Sequence, residues 1–481
     1  MKSSPAEAGA DAVVRVDVAV VGSGTAGLAA YRAAVAITPR AVLIEGGTQG
    51  TTCARVGCMP SKLLIAAADA AHAGHVAEPF GVHCSVRVDA RQVMDRVKRE
   101  RDRFVRHVLD GVDEIPADRK LHGYAKFLEP GVLEVETVGA LRRVEALAVV
   151  LATGSSPEIP PLLDEVKDRL VVNDDVFEWD ALPESVAVFG TGAIGLELGQ
   201  ALQRLGVRIR VFGRGGSVGQ LTDPVVRSAA LAALSAEMSI DANAKVRAVR
   251  RAGPGVEVHY EDEAGRARVE RFDYCLAATG RKPNLARLAL DKSGLELDAR
   301  GVPIFDRATM QCARAPVFLA GDVDEDAPVL HEAADEGTIA GENAARSPHV
   351  EPAVRSSALS IIFTDPQIAS VGGSFASLNE DGGTRAAGGL VIGEVDFRDQ
   401  GRSRVMLQNR GCLRIYATRE RFLGAEMVGP RAEHLGHLLA WAHQKRMTVA
   451  EMLTMPFYHP VVEEGVRTAL RDADAKLKAI G

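Results

Sequence analysis

No stretch of the chain is apolar for the roughly 20 residues that a membrane-crossing helix needs. The N-terminal MKSSPAEAGADAVVRVD likewise has no apolar core of signal-peptide length. Together these absences set the expectation of a cytoplasmic protein without a membrane partner. Excess charge of one sign is also missing. The formal net charge is -7 over 481 residues, so no basic footprint for nucleic acid is present. The densest basic run, RVKRERDRF from Arg96 to Phe104, interleaves acids and reads as the solvated face of a helix. Cysteine is scarce: six residues, of which Cys84, Cys275, Cys312 and Cys412 stand alone. That usage argues against a secreted, disulfide-stapled scaffold.

What is present is a globular balance, 47% hydrophobic and 25% charged, on a chain long enough for two or three domains. The stretch VRVDVAVVGSGTAGLAAYRAA sets Val16, Val18 and Val20 ahead of Gly22, Gly24 and Gly27, then runs into alanine-rich sequence. Strand, glycine turn and helix in this order form a dinucleotide-binding unit. The glycines let the backbone approach a pyrophosphate, and the helix N-terminus attracts its charge. A second strand, RAVLIEGG, closes at Glu45, 23 residues beyond Gly22, where an acid can accept a hydrogen bond from a ribose hydroxyl. Glycine spacing alone is weak; with the strand, helix and acid it becomes specific.

The pattern returns in ESVAVFGTGAIGLELGQALQRLG, with Gly190, Gly192 and Gly195. Here the same count of 23 residues reaches Gly213, with Arg214 next, instead of an acid. Two pyrophosphate cradles imply two nucleotide cofactors, FAD and a nicotinamide dinucleotide being the economical pair. VVLATGSSP and CLAATGRKPN each end an apolar strand at an Ala-Thr-Gly turn. APVFLAGDV places Asp322 at the end of another, where a carboxylate can bind a sugar-like hydroxyl chain.

Soon after Glu45 comes TTCARVGCMPSKLL, with Cys53 and Cys58 five residues apart beside Lys62. On the residues alone the pair is a metal site, a structural bridge or a redox disulfide. Zinc fits poorly, since neither a second cysteine pair nor CxxC spacing accompanies it. A nucleotide fold next door favours a disulfide that exchanges electrons.

In this order the motifs, from about Val16 to the C-terminus, resemble the pyridine nucleotide-disulfide oxidoreductases. The resemblance implies an α/β fold with two Rossmann-like dinucleotide-binding domains, for FAD and NAD(P), and a C-terminal α+β dimerisation domain. Residues 1–155 and 281–350 would form the FAD domain, 156–280 the NAD(P) domain and 351–481 the interface domain, with linker-like ARSPHVEPAV near the last join. It implies that Cys58 is the thiol beside the isoalloxazine, and Cys53 the interchange thiol that meets substrate. Lys62 would lie near flavin N5, where its charge favours electron density on the reduced ring, with Glu197 as ion-pair partner. In MPFYHPVVEEG, His459 would be the catalytic base and Glu464 its orienting carboxylate, while Glu463 takes a variable position. Cofactor contacts are carried onto Gly22, Gly24, Gly27, Glu45, Thr52 and Lys62, and then onto Tyr124, Ala125, Thr153, Gly154, Arg281 and Asp322. Around the second glycine turn they fall on Gly190, Gly192, Ile194, Gly195, Glu197, Gly213, Arg214 and Gly280. No metal ligand is implied. A homodimer is, because the family's histidine reaches the other subunit's active site.

Within the family, APVLHEAADEG with His331 is most similar to dihydrolipoamide dehydrogenases. The chain ends RDADAKLKAIG, without the extra cysteine pair of mercuric reductases, and it has the redox pair that soluble transhydrogenases lack. The expected reaction is dihydrolipoamide + NAD+ to lipoamide + NADH, with a 2-oxoacid dehydrogenase complex as candidate partner. The alternatives are an NADPH-dependent disulfide reductase of the glutathione reductase type and a non-catalytic scaffold subunit. Two departures stand out. Arg55 replaces a usual asparagine in the cysteine loop, where it would favour thiolate or an anionic substrate. Gly213 replaces the ribose-binding acid, which points to weak discrimination against NADP.

Overall fold

The computed structural model describes residues 13–262, 264–380 and 389–480. They fold into two compact units, and the observed class is the α/β expected from the glycine turns. The first unit comprises the residues up to Pro60, Lys98–Pro157 and Arg281–Arg355. In it β1 (Val14–Val21) pairs in parallel with β2 (Ala41–Glu45) on one side and with the strand Ala140–Leu151 on the other. Val317–Leu319 extends the sheet in parallel beyond Ala140–Leu151, and Lys120–Glu129 does so beyond β2. Val18, Ala19 and Val20 are all fully buried, so both faces of β1 are covered. That is why its sequence reads as nearly continuous apolar residues instead of strict alternation.

The helix α1 (Thr25–Val35) covers one face and lies against the helix Leu330–Arg346. Its alanines follow from how closely the two helices approach. A Cβ added at Gly337 or Gly341 would fall 2.2 Å from the backbone oxygen of Ala26 or Ala30. Beyond β2 the chain forms a short helix α2 (Thr52–Val56), then α3 (Cys58–His75).

The second unit comprises Ser61–Val97, Glu158–Gly280 and the residues from Ser356 onward. Its parallel sheet runs in the order Ser239–Asp241, Arg208–Phe212, Ser185–Phe189, Tyr274–Ala277, Leu170–Val171. An antiparallel three-stranded sheet (Lys245–Ala252, Gly255–Glu261, Ala267–Phe272) packs through an aromatic group in which Phe212 stacks on Phe189 and meets Tyr260 and Phe272 edge-on. The C-terminal part is a five-stranded antiparallel sheet with Phe422–Gly429 at its centre, covered by helices Ala432–Gln444 and Glu464–Ala479. The basic run lies on the helix Ala90–Asp113, where Arg103 and Arg99 both pair with Glu100. Among the described residues no helix is long and apolar enough to cross a membrane.

One buried cation ties three segments of this unit together. The Arg204 side chain, 3% exposed, donates to Glu237, to Asp69 on α3 at 2.7 Å, and to Asp365 at 3.0 Å. Gln200 on the same helix reinforces the join by donating to Glu237 and to the Asp365 carbonyl. Arg204→Met would leave those carboxylates without a cation. Because Asp69 and Asp365 are partly exposed, we expect a loss near the low end for a broken buried pair, about 3 kcal/mol. Denaturant unfolding of the variant checks this.

Candidate active site

Both glycine turns are built the same way. Gly22 has φ +108, and a Cβ there would lie 2.2 Å from the Ala152 carbonyl oxygen; Gly190 has φ +118 and the equivalent point is 2.1 Å from the Ala278 oxygen. Each turn is therefore pressed backbone to backbone against its Ala-Thr-Gly segment. Gly27 and Gly195, one helical turn on, would drive a Cβ into the carbonyls of Gly22 and Gly190. The middle glycines differ. At Gly24 and Gly192 nothing lies within 4 Å of the added Cβ. Each is the N-cap of its helix, and neither cap makes a side-chain hydrogen bond. An open space in front of uncapped N–H groups is what a pyrophosphate requires.

Around the first turn, Glu45 accepts from the Ser23 N–H at 2.7 Å, the Ser23 hydroxyl at 3.0 Å and the Gly47 N–H at 2.6 Å. The carboxylate is fixed at the end of β2, with about one acceptor site left for a ribose hydroxyl. Tyr124 packs on Gly46, its exposed ring under the Arg287 guanidinium at 4.4 Å, while Ala125 is buried. Thr153 Oγ1 is buried with no hydrogen-bond partner among the described residues. Gly154 (φ +64) has open space beside it. Asp322 accepts from the Ser155 hydroxyl at 2.9 Å, and Arg281 donates to that same hydroxyl and to the Ser155 carbonyl. The open cradle, the orphaned hydroxyl and the placed carboxylates fit an FAD.

The cysteine loop depends on a break. In one continuous helix Cys53 and Cys58 would be about 7.5 Å apart along the axis and roughly 140° around it. A disulfide needs Cα atoms about 4.4–6.8 Å apart. The break comes at Gly57, whose φ -121, ψ -116 leaves the helical region between α2 and α3. A Cβ there would lie 3.2 Å from Cys53 Cα and 3.1 Å from the Thr52 oxygen, so the turn closes directly on Cys53. Cys53 is half-buried and Cys58 exposed. Thr52 is exposed at the start of α2, and Thr51 caps it by accepting from the Ala54 N–H. Arg55 has a backbone partner within the loop. Its stem lies over Gly50 and its guanidinium donates to the Thr48 carbonyl at 3.1 Å, so it braces the loop's own backbone.

Lys62, one turn along α3 from Cys58, donates to Glu197 at 2.7 Å. The other Glu197 oxygen accepts from the Phe363 N–H at 2.9 Å, and the Phe363 ring lies 4.5 Å from the ammonium. Glu197 is 6% exposed. Ile194 is half-buried on the same helix.

Near the C-terminus His459 Nδ1 is 3.0 Å from Glu464 Oε2, leaving Nε2 outward on a side chain 80% exposed. A third residue, absent from the motif, completes the arrangement. Arg467 donates to the second Glu464 oxygen at 2.8 Å, and its guanidinium rests on the Phe457 ring. The i,i+3 spacing on the helix Glu464–Ala479 makes this reach short, and that spacing was the only sequence signal available.

The missing acid at Gly213 has a steric cause. Where the first turn has Ser23 bonded to Glu45, the second has Thr191, whose hydroxyl donates to the Ser217 carbonyl at 2.6 Å. A Cβ on Gly213 would fall 2.8 Å from the Thr191 methyl and 2.7 Å from the Ala242 oxygen. No side chain of any charge fits. Arg214 beside it is exposed, and among the described residues it makes no ion pair. Gly280 (φ +127) follows Thr279, whose hydroxyl donates to the Glu158 carbonyl.

Two glycine turns of the dinucleotide-binding kind, two cysteines across a helix break and a histidine–carboxylate pair are features of a flavoprotein of the disulfide-reducing class. Residues 16–337 match the pyridine nucleotide-disulphide oxidoreductase family, and residues 359–470 match that family's dimerisation domain. The chain belongs to this family, which uses FAD and NAD(P), and the dimerisation match supports a homodimer. Its relatives include a mercuric reductase of Shigella flexneri, 32% identical over 96% of this chain and 82% of the relative. A dihydrolipoyl dehydrogenase of Haloferax volcanii is 31% identical over 96% of this chain and 97% of the relative. Among solved structures, LpdA from Mycobacterium tuberculosis superposes with a TM-score of 0.79 at 25% identity, over 95% of this chain and 99% of that one. The HOCl-induced flavoprotein disulfide reductase RclA from Escherichia coli shares the fold, with a TM-score of 0.76 at 19% identity over 95% of this chain and 99% of that one.

Two outcomes follow, for Gly213 and for Arg467. Gly213→Ala should cost about 1–3 kcal/mol through overpacking, read as a lowered unfolding midpoint. If the His459–Glu464 pair transfers protons, Arg467→Met should slow the dithiol half-reaction about 10-fold, a fraction of what general acid–base catalysis supplies. Arg467→Lys should recover most of that rate, and flavin reduction by the nicotinamide should stay unchanged. Stopped-flow measurement of the two half-reactions distinguishes them.

Proposed function

We propose that the protein is a dihydrolipoyl dehydrogenase, oxidising dihydrolipoamide with NAD+ to lipoamide, NADH and a proton. The observation that carries this reading is the helix break at Gly57 between Cys53 and Cys58, in a chain that also folds an FAD-type cradle. The oxidised pair is a Cys53–Cys58 disulfide. Substrate thiolate attacks Cys53 Sγ and releases Cys58 as thiolate, and the second substrate thiol then displaces Cys53, closing lipoamide and leaving both cysteines reduced. His459 accepts the proton of the attacking thiol, held in orientation by Glu464, which Arg467 fixes from its other oxygen. FAD, held by the turn of Gly22, Gly24 and Gly27 with Glu45 and Asp322, would supply the two-electron redox centre between the dithiol and NAD+. Lys62, paired with Glu197, contributes the positive charge that favours electron density on the reduced ring. His459 would serve the partner subunit's thiol pair, in keeping with its exposure. The three-part division at 155, 281 and 350 is proposed with the same reading.

A second reading is reduction of a metal ion, favoured by the 32% identity to a mercuric reductase. The stretch APVLHEAADEG with His331, most similar to dihydrolipoamide dehydrogenases, favours the first. A purified enzyme assayed with dihydrolipoamide, oxidised glutathione and mercuric ion, each with both nicotinamide cofactors, separates these readings. Dihydrolipoamide should be turned over fastest; faster mercuric reduction would replace the proposal.

Cys53→Ser and Cys58→Ser should each abolish dithiol turnover while retaining FAD, because the cradle lies elsewhere in the chain. Near-normal turnover in either variant contradicts the relay. Weak discrimination against NADP is assigned to Arg214, not to Gly213, where no acid fits. Arg214→Glu should lower the NADP/NAD ratio of kcat/KM by about 10-fold, roughly one charge-assisted hydrogen bond. An unchanged ratio would show that Arg214 does not meet the 2′-phosphate.

A further inference from the structure

Beside the turn that carries Asp322, three carboxyl groups are buried around one guanidinium. Asp324 is 4% exposed, Glu332 5% and Glu336 0%. Arg355 Nη2 donates to Glu332 Oε2 and to Glu336 Oε1, both at 2.6 Å. The other Glu336 oxygen accepts from the Gly321 N–H at 2.8 Å, so this buried acid holds the start of the Gly321–Asp322 turn. Asp324 Oδ1 accepts from the Asp326 N–H at 2.9 Å, while its Oδ2 is buried with no hydrogen-bond partner among the described residues. The motifs did not point to any of these four residues.

The charges do not balance. Arg355 is bonded to Glu332 and Glu336, and among the described residues no cation is bonded to Asp324. Asp326 is taken up by Arg307 at 2.6 Å, and His331 lies 3.8 Å from Glu332 on a half-exposed side chain. A buried carboxylate without a counter-charge is costly, and the group retains a proton instead. Glu336 already has a guanidinium and an N–H; Asp324 has an empty oxygen. Protonated at Oδ2, Asp324 becomes a donor and Glu336 its acceptor. Burial, then the neighbouring Glu336 charge, pushes the Asp324 carboxyl up to about 8. Glu336 is also raised by burial, with Arg355 and the Gly321 N–H opposing.

We propose that Asp324 and Glu336 share one proton and act together as positioning residues for the turn that presents Asp322 to FAD. While the proton is kept, the carboxyl–carboxylate pair clasps the turn against the helix Leu330–Arg346. When it leaves, two like charges face each other behind Gly321 and the turn loosens. The proposal rests on reading Asp322 as a contact of the FAD hydroxyl chain.

The sign of the pH dependence is fixed. Asp324 titrates near 8 when folded and near 3.8 otherwise. Between those values the folded chain holds the extra proton, so this pair's contribution to stability falls as pH rises and is lost above about 8. The holoprotein is unfolded by heat, and separately followed for FAD release by flavin fluorescence, from about pH 5 to about pH 9. Asp324→Asn keeps the shape and presents a permanent N–H donor to Glu336. It should lose most of the pH slope of the unfolding midpoint. At the alkaline end, wild type should release FAD about threefold faster than this variant. Glu336→Gln, which keeps an acceptor for Gly321, should move the wild-type transition to lower pH. Parallel unfolding profiles in wild type and Asp324→Asn overturn the shared proton. Different unfolding profiles with parallel FAD release overturn the link to the turn. An Asp322→Ala protein that binds FAD as tightly as wild type would refute the reading of Asp322, leaving the unfolding result to stand separately.

Discussion

Two close approaches of backbone to backbone underlie the rest of this structure: Gly22 against the Ala152 carbonyl and Gly190 against the Ala278 carbonyl. Either position would exclude any side chain. The contact brings the end of a strand, the start of a helix and an Ala-Thr-Gly turn to one point. It leaves the helix N–H groups facing open space at Gly24 and Gly192. A pyrophosphate needs that vacancy and those donors together. One constraint, used twice in one chain, makes a protein that can hold two dinucleotides.

The thiol pair is a second product of backbone geometry. Ordinary helical continuation from Thr52 would carry Cys53 and Cys58 to different sides of a helix and too far apart to bridge. Gly57 stops that continuation, Gly50 and Thr51 set the entry with positive φ, and Arg55 braces the loop from Thr48. Cys53 and Cys58 thus sit on either side of the junction of α2 and α3. Downstream on α3, Lys62 is held by Glu197, itself anchored through Phe363.

Much of this was legible in the sequence because it is local. Glycine spacing, the strand preceding it and the acid 23 residues later all lie within one supersecondary unit, and Glu45 stands where that count places it. His459 and Glu464 are equally close in sequence. What escaped notice depends on distant partners. Nothing in the sequence near Gly213 tells of the Ala242 backbone or the Thr191 methyl that exclude a side chain there. Arg55 was read from its neighbour Cys53, but its partner is the Thr48 carbonyl behind it. The acid group at Asp324, Glu332 and Glu336 gains its meaning from Arg355, which reaches it from beyond the helix Leu330–Arg346. Buried charges far apart in sequence follow no periodicity, so only the folded arrangement reveals their balance.

The central claim is that a flavin and a Cys53–Cys58 disulfide form one electron-transfer chain. Anaerobic reductive titration of the FAD-loaded protein tests it most directly, since flavin and disulfide each take up two electrons. Wild type should consume two two-electron equivalents per flavin before reduction is complete, and Cys53→Ser should consume one. If wild type is fully reduced by a single equivalent, no redox disulfide is coupled to the flavin and the account fails.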